Sequence, residues 1–129
     1  CAECHSGEDF TSDRFRNIGL FNRGTLDDRG RGAITGDAGD DGQFKVPSLR
    51  NVAVTAPYMH NGMFTSLREV IEYYNNPDTV VPDAHGRDAS MAGPLQLTAA
   101  EIDDLEQFLV ALTDDRFTRR DVAGTEARR

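Results

Sequence analysis

The chain has 129 residues, which is the size of one domain. Hydrophobic residues make up 38% of it and charged residues 28%, with 12 Gly and 5 Pro; this composition is typical of a globular domain with a thin apolar core and many loops. The formal net charge of −8 argues against nucleic acid and anionic membranes as partners, because both attract basic surfaces, and the sequence contains no apolar run long enough to span a membrane.

Both cysteines lie in the first five residues, Cys1-Ala2-Glu3-Cys4-His5. A CxxCH motif is typical of covalent attachment of a c-type haem. The motif therefore predicts haem c bound through Cys1 and Cys4, with His5 as the proximal iron ligand. A redox-active CxxC pair would need a βαβ context that the sequence lacks. A zinc site would need four ligands, and the other histidines are only His60 and His85.

The haem motif also predicts a location and a longer protein. Haem c is attached covalently outside the cytoplasm, so we expect the protein to be periplasmic. The chain begins at the first haem cysteine, and an attachment helix needs residues ahead of it. We therefore expect the sequence to be one part of a longer protein.

The N-terminal half is predicted to contain little regular structure. Residues 1–8 are predicted to form a short helix that carries the haem motif, and residues 9–46 an irregular, glycine-rich segment that wraps the cofactor or lies on the surface. An acidic cluster in this segment lacks the spacing and the glutamate of an EF-hand, and is interpreted as a solvated loop: Asp37, Asp40 and Asp41. The large apolar residues of the segment are expected to contact the haem or the core: Phe10, Phe15, Ile18, Leu20, Phe21 and Phe44.

Two helices are predicted in the C-terminal half. Ser66 and Glu69 form a capping box at the start of the first, which ends near Pro77. Residues 77–97 form a loop, and the second helix begins with the capping box of Thr98 and Glu101 and ends near Thr113. Its apolar stripe comprises Ile102, Leu105, Phe108, Leu109 and Leu112. We expect a haem domain over residues 1–115, with nine basic and 20 acidic residues and a net charge of −11. Residues 116–129, with five Arg, are predicted to be a disordered basic tail.

Several strings of this sequence together resemble one family. They are the CxxCH motif, FKVPSLRNV from Phe44, TAPYMHNG from Thr55, LREV from Leu67 and LTAAE from Leu97. In this combination the chain is similar, over most of residues 1–114, to the C-terminal haem domain of bacterial dihaem cytochrome c peroxidases and their MauG-like relatives. The resemblance implies an all-α, cytochrome c-like fold with few helices and long loops.

The resemblance also implies a function. In that family two cytochrome c-like domains each carry one haem; the N-terminal haem meets hydrogen peroxide, and the C-terminal haem receives or stores electrons. The chain is thus expected to be the electron-transfer domain of an enzyme that reduces hydrogen peroxide to water with electrons from a small redox protein, a cytochrome c or a cupredoxin. Its own N-terminal haem domain would be a partner, a homodimer is left open, and the chain alone is expected to be inactive. The alternatives are a MauG-like oxidase acting on a protein or organic substrate, and a free-standing monohaem cytochrome c.

The iron ligand opposite His5 decides much of the chemistry. Spacing alone favours a methionine about 60 residues after the motif, Met59 or Met63, as in simple monohaem cytochromes. In the dihaem peroxidases a methionine ligates the iron one helix after the Pro-Tyr-x-His loop. The residue at that position here is Tyr74, and the MauG-like proteins also have a tyrosine there. The resemblance therefore favours Tyr74. A phenolate favours Fe(III) and higher states, whereas a thioether favours Fe(II). The other residues of suitable chemistry are Met91, His60, His85, Tyr58 and Tyr73.

Three further roles are expected around the haem. The resemblance implies that His60 lies near the haem as a hydrogen-bonding partner. It also implies a calcium ion between the two haems, bound by the backbone carbonyls of Thr55 and Pro57 and by a side chain of the missing domain. Because arginine pairs bidentately with carboxylates, Arg50 is predicted to bind a haem propionate, with an ion pair to a nearby aspartate as the alternative.

Overall fold

The computed structural model describes residues 1–117. Three α-helices, α1 (Arg31–Thr35), α2 (Leu67–Asn75) and α3 (Ala99–Ala111), lie in this part of the chain together with one antiparallel pair of two-residue strands, β1 (Phe15–Arg16) and β2 (Phe44–Lys45). The loops between them contain short 3-10 turns at Ala38–Asp40, Val52–Val54, Pro77–Thr79 and Ala89–Met91. The predicted all-α, cytochrome c-like class is confirmed. Apart from Arg116 and Phe117, the predicted basic tail lies outside the described residues.

Both predicted capping boxes are present. The Ser66 hydroxyl accepts the backbone N–H of Glu69 at 3.2 Å, and the Glu69 carboxylate accepts the backbone N–H of Ser66 at 2.9 Å. Thr98 and Glu101 repeat the arrangement at 3.3 and 2.8 Å. These contacts satisfy N–H groups that have no partner within the helix, so both helices begin where the sequence predicts.

Helices α2 and α3 pack against each other. Helix α2 buries Leu67, Ile71 and Tyr73, and α3 buries Ile102. On the solvent side Arg68 joins the two helices through Asp103 and through Glu106, the latter at 2.8 Å. Phe108, on the predicted apolar stripe of α3, is 49% exposed, and its ring meets that of Phe10 edge-on with centroids 6.2 Å apart.

The apolar core is small and lies beside α2. Its central cluster consists of Leu20, Phe64, Tyr73 and Val81, so three long loops and one helix each contribute one residue. The hydroxyl of Tyr73 donates to the carbonyl of Ile18 at 2.7 Å, which satisfies the single polar group in this cluster. The loops are therefore anchored to α2 by side chains rather than by a continuous sheet.

The predicted helix over residues 1–8 is wrong. The backbone makes one helical turn, in which the N–H of His5 donates to the carbonyl of Cys1 at 2.9 Å. Gly7 then has φ +74°, a left-handed conformation that ends the turn. The next residues fold back, so that the N–H of Ser12 donates to the carbonyl of Cys4 at 2.8 Å.

The segment 9–46 is less irregular than predicted. It contains α1, and β1 pairs with β2 in the register Phe15 to Lys45 and Arg16 to Phe44. Phe15 is exposed, which corrects its predicted place in the core or the haem pocket, and the guanidinium of Arg31 lies 4.7 Å from the centre of its ring. No helix of the described residues is long and apolar enough to cross a membrane.

Candidate haem site

A cavity of about 580 Å³ lies between the N-terminal turn, the strand pair and α2. Its wall includes Cys1, Cys4 and His5 from the turn, and Val70 and Tyr74 from α2. Most of the remaining wall comes from Arg16 and Ile18 and from some of the residues of the segments 44–60 and 88–95. A volume of this order is typical of a site for a cofactor. The structure thus brings the CxxCH motif and Tyr74 to one cavity from 69 residues apart in sequence.

His5 is oriented for iron ligation by its backbone contacts. Its Nδ1 lies 3.1 Å from the carbonyl oxygen of Phe10, and because a carbonyl only accepts, Nδ1 carries the proton. The other ring nitrogen, Nε2, is then the lone-pair nitrogen that a metal requires. Burial also lowers the pKa of His5, which favours the neutral imidazole.

The two thiols are free and reachable. Cys1 is exposed and Cys4 half-buried, and the single helical turn that ends at His5 presents both to the cavity. This arrangement allows two thioether bonds to one haem while the imidazole faces its iron. The donor set and the size of the cavity fit a c-type haem.

The three tyrosines of the chain differ in what their hydroxyl groups contact. Tyr58 donates to the carbonyl of Val52 at 3.1 Å, and Tyr73 donates to that of Ile18 at 2.7 Å. Tyr74 lines the cavity, and its hydroxyl, unlike those of Tyr58 and Tyr73, is not bonded to a backbone carbonyl of the described residues. Burial raises the pKa of Tyr74, so the phenol stays protonated unless a cation lies beside its oxygen. Of the three hydroxyl groups, that of Tyr74 is the one available to a metal.

Some of the alternative iron ligands line the same cavity, and others lie outside its wall. Met59 lines it, with φ +67°, and so does Met91. Met63 lies outside the wall, where its sulfur is 3.7 Å from the side-chain nitrogen of Asn61. His85 also lies outside and stacks on Phe21 with ring centroids 6.0 Å apart.

His60 and Arg50 occupy different surroundings. The ring of His60 lies in the cavity wall and stacks on Phe44, with centroids 3.7 Å apart, and burial lowers its pKa. Arg50 is not part of the cavity wall. Its Nε is 3.2 Å from a carboxylate oxygen of Asp9, and it also donates to the carbonyl of Glu8. Arg50 is thus placed in an ion pair with a nearby aspartate, which was the alternative to a propionate contact.

Arg16 is a cavity residue that the sequence does not reveal. Its Nη1 donates to Asp88 at 2.7 Å, across 72 positions of the chain, and its Nε is buried without a partner. No local pattern connects the two residues, because Asp88 lies in a loop without periodicity. Only the three-dimensional structure places this cation in the wall.

The expected calcium ligands lie near the haem cavity. Thr55 and Pro57 are both part of its wall, and neither backbone carbonyl accepts a hydrogen bond within the described chain. The acidic cluster of the glycine-rich segment has other contacts: Asp41 pairs with Arg29 at 2.7 Å, and Asp40 pairs with Arg31 at 2.9 Å. Among the described residues, no three His, Cys, Asp or Glu side chains are grouped to hold a metal ion.

Comparisons with known proteins indicate one family for this chain. No family model matches the chain. It is 38% identical to the methylamine utilization protein MauG of Paracoccus denitrificans over 91% of this chain and 40% of that protein, and 30% identical to the cytochrome-c peroxidase IdrP1 of a Pseudomonas species over 88% and 36%. The structure of a MauG-like protein associated with microbial copper homeostasis superposes with a TM-score of 0.73 and 36% identity, over 88% of this chain and 42% of that one. The chain thus spans less than half the length of these relatives. It belongs to the family of MauG-like proteins and dihaem cytochrome c peroxidases.

Proposed function

We propose that this chain is the electron-transfer haem domain of a dihaem peroxidase. Cys1 and Cys4 would hold haem c covalently, and His5 and Tyr74 would ligate its iron. The observation that carries this proposal is that the CxxCH motif, with His5, and Tyr74 line one cavity although 69 positions separate them. When bound, the haem supplies one-electron redox chemistry.

In this proposal the protein residues fix ligands and protons. The carbonyl of Phe10 holds the His5 proton on Nδ1, so that Nε2 stays available. Tyr74 gives up its hydroxyl proton when the positive iron lies beside its oxygen, since burial alone keeps the phenol neutral.

The whole enzyme would reduce hydrogen peroxide to water with two electrons and two protons. The peroxide would meet the haem of the N-terminal domain, and this domain would accept electrons from a cytochrome c or a cupredoxin. The acidic body of the chain, with a net charge of −11 over residues 1–115, favours a donor with a basic docking surface. Covalent haem attachment places the protein in the periplasm, and calcium at the carbonyls of Thr55 and Pro57 would join the two domains.

A second candidate function is a MauG-like oxidase that acts on a protein or organic substrate. Tyr74 favours it, because a hard, anionic phenolate stabilises Fe(III) and higher oxidation states and makes the haem a poor electron acceptor. Such a haem suits a site that shares an oxidised state with its partner haem. The 38% identity to a MauG protein adds support.

The ligand assignment is tested in the full-length, haem-loaded protein. A pyridine haemochrome spectrum should show covalent haem, and Tyr74→Phe should change the optical and EPR spectra of the domain's iron. Tyr73→Phe is the matched control, because it removes a neighbouring hydroxyl that already donates to Ile18, and it should leave both spectra unchanged. If Tyr74→Phe also left them unchanged, Tyr74 would not be the ligand, and Met59→Leu would then be examined.

The two enzyme functions are distinguished by their reductants. A peroxidase should consume hydrogen peroxide in step with oxidation of a reduced cytochrome c or cupredoxin. An oxidase should instead consume peroxide with little donor and leave an oxidised protein or organic product. A rate of donor oxidation that is high at low salt and falls as salt is added would support the peroxidase and its acidic docking surface. Donor oxidation at a rate independent of salt would contradict that surface.

A further inference from the structure

We infer that Arg16 binds a haem propionate and that Asp88 holds the guanidinium in position for it. This inference rests on the proposed haem site. It replaces Arg50 with a residue at the cavity, and it identifies a contact that would tune the potential of the haem.

The guanidinium of Arg16 has unused hydrogen-bonding capacity at the cavity. Arg16 is part of the wall, and Nη1 donates to Asp88 at 2.7 Å. Its Nε is shielded from solvent and therefore does not face the cavity, but the side chain as a whole is 27% exposed. The donors of the guanidinium that Asp88 does not use can therefore meet an acceptor in the cavity. A haem brings two carboxylates, and the arginine fork binds carboxylates best.

Asp88 is itself held on several sides. One of its carboxylate oxygens accepts the backbone N–H of Ser90 at 3.0 Å and the hydroxyl of Ser90 at 2.9 Å, and the other accepts from Arg16. The backbone N–H of Asp88 donates to the carbonyl of Asn17 at 2.8 Å. These contacts connect residues 88–90 to the end of β1. The guanidinium is therefore fixed through Nη1, and its Nη2 group remains for another ligand.

The other cations of this region are already satisfied or lie elsewhere. Lys45 lines the cavity, but its Nζ is 2.8 Å from Asp13 and 3.0 Å from the carbonyl of Val46. Arg50 pairs with Asp9 outside the wall. Among the described residues of the cavity wall, Arg16 is the only arginine, and arginine is the side chain whose planar fork matches a carboxylate.

A cation in this place should influence the iron through charge. Reduction of Fe(III) to Fe(II) makes the haem one unit more negative, and a nearby positive charge stabilises the reduced form. A propionate paired with Arg16 also presents less of its own negative charge to the iron. Loss of Arg16 should therefore lower the reduction potential of this haem.

The test uses the full-length protein with its haem attached. Midpoint potentials and resonance Raman spectra are measured for the wild type, Arg16→Gln, Arg16→Lys and Asp88→Asn. Arg50→Gln is the matched control, because it removes the same charge outside the cavity. The Raman propionate bending band reports directly on hydrogen bonds to the carboxylates, which a merely structural role of Arg16 would not move.

Arg16→Gln should lower the potential of this haem and shift its propionate band, and Arg50→Gln should change neither. Arg16→Lys should keep most of the potential but shift the band, because lysine has no planar fork. Asp88→Asn should shift the band as well, since it releases the guanidinium. A haem-loaded Arg16→Gln or Arg16→Lys protein with the wild-type band would overturn the assignment of Arg16 alone. Absence of covalent haem from the wild type would overturn the proposed haem site and this inference with it.

Discussion

Asn17 is the residue whose removal should destabilise the fold most clearly. Its side chain is 4% exposed and makes three hydrogen bonds: Nδ2 donates to the carbonyls of Asp41 at 3.0 Å and His85 at 2.9 Å, and Oδ1 accepts the N–H of Gly19 at 2.8 Å. It thus fixes three loop segments around one buried amide. Asn17→Ala leaves all three backbone groups without this partner.

The expected cost follows from the number and burial of these bonds. A net contribution of about 1 kcal/mol per hydrogen bond gives roughly 3 kcal/mol, and a buried N–H left without an acceptor raises the figure. An unfolding entropy of about 2.1 cal/mol/K per residue, over the predicted domain of residues 1–115 unfolding as one unit, converts 3 kcal/mol to a fall in Tm of about 12 °C. Thermal and urea unfolding of the haem-loaded protein, followed by far-UV circular dichroism, measure both quantities.

Asn22 provides a control with a similar set of partners nearer to solvent. Its Oδ1 accepts the N–H groups of Gly24 at 2.9 Å and Leu26 at 3.0 Å, and its Nδ2 is 3.3 Å from the carboxylate of Asp83. Because water can replace these bonds, Asn22→Ala should cost about 1 kcal/mol or less. Equal losses for the two variants, or a loss below about 1 kcal/mol for Asn17→Ala, would refute the argument that burial sets the cost.

Three further predictions concern the backbone and pH. Gly42→Ala should destabilise the protein by about 2 kcal/mol or more, because φ is +72° and the new Cβ would lie 2.5 Å from the Cβ of Phe21. Gly36 is the control, because its φ is +74° but open space surrounds it, and Gly36→Ala should cost about 1 kcal/mol. Denaturant titrations measure the free energy of unfolding of both variants. Ser66→Ala should remove the α2 cap at a cost of about 1 kcal/mol, visible in the same titrations. Hydrogen bonds from Thr65 and Ser66 lower the pKa of Glu69. As pH falls, the Glu69 carboxylate is therefore protonated first in the unfolded chain, at about pH 4.3. The stability that Glu69 contributes is lost between that pH and the lower pKa of the folded state. Glu69→Gln should weaken this acid dependence, and an unchanged pH profile of unfolding would contradict it.

Local sequence signals predicted the parts of the fold that depend on local contacts. The capping boxes of α2 and α3 join residues three positions apart, so the sequence contains both partners of each bond. The spacing of apolar residues identified a stripe on α3, but it could not show which parts of the stripe other segments cover. Phe108, on this stripe, is exposed. The predicted N-terminal helix failed because a left-handed glycine, Gly7, follows its first turn.

The residues of the candidate site also differ in whether the sequence alone could identify them. His5 and Tyr74 could be named in advance, the first from its motif and the second from a family resemblance, and both line the cavity. Arg16 could not, because its partner lies 72 positions away in a loop with no periodic pattern. Asn17 was missed for the same reason, since its partners lie 24 and 68 positions away.

The cavity has a structural consequence for the whole domain. The central core cluster has four buried residues, while a cavity of about 580 Å³ lies beside it. Apolar residues that would otherwise pack on one another, such as Ile18, Met59 and Val70, border both the cluster and the cavity. A haem in this place would bury their exposed faces and extend the core to the N-terminal turn and to residues 88–95. The irregular segments would then be ordered by contacts to the cofactor as much as by contacts to each other, which explains how a chain rich in glycine and poor in apolar residues can form one domain.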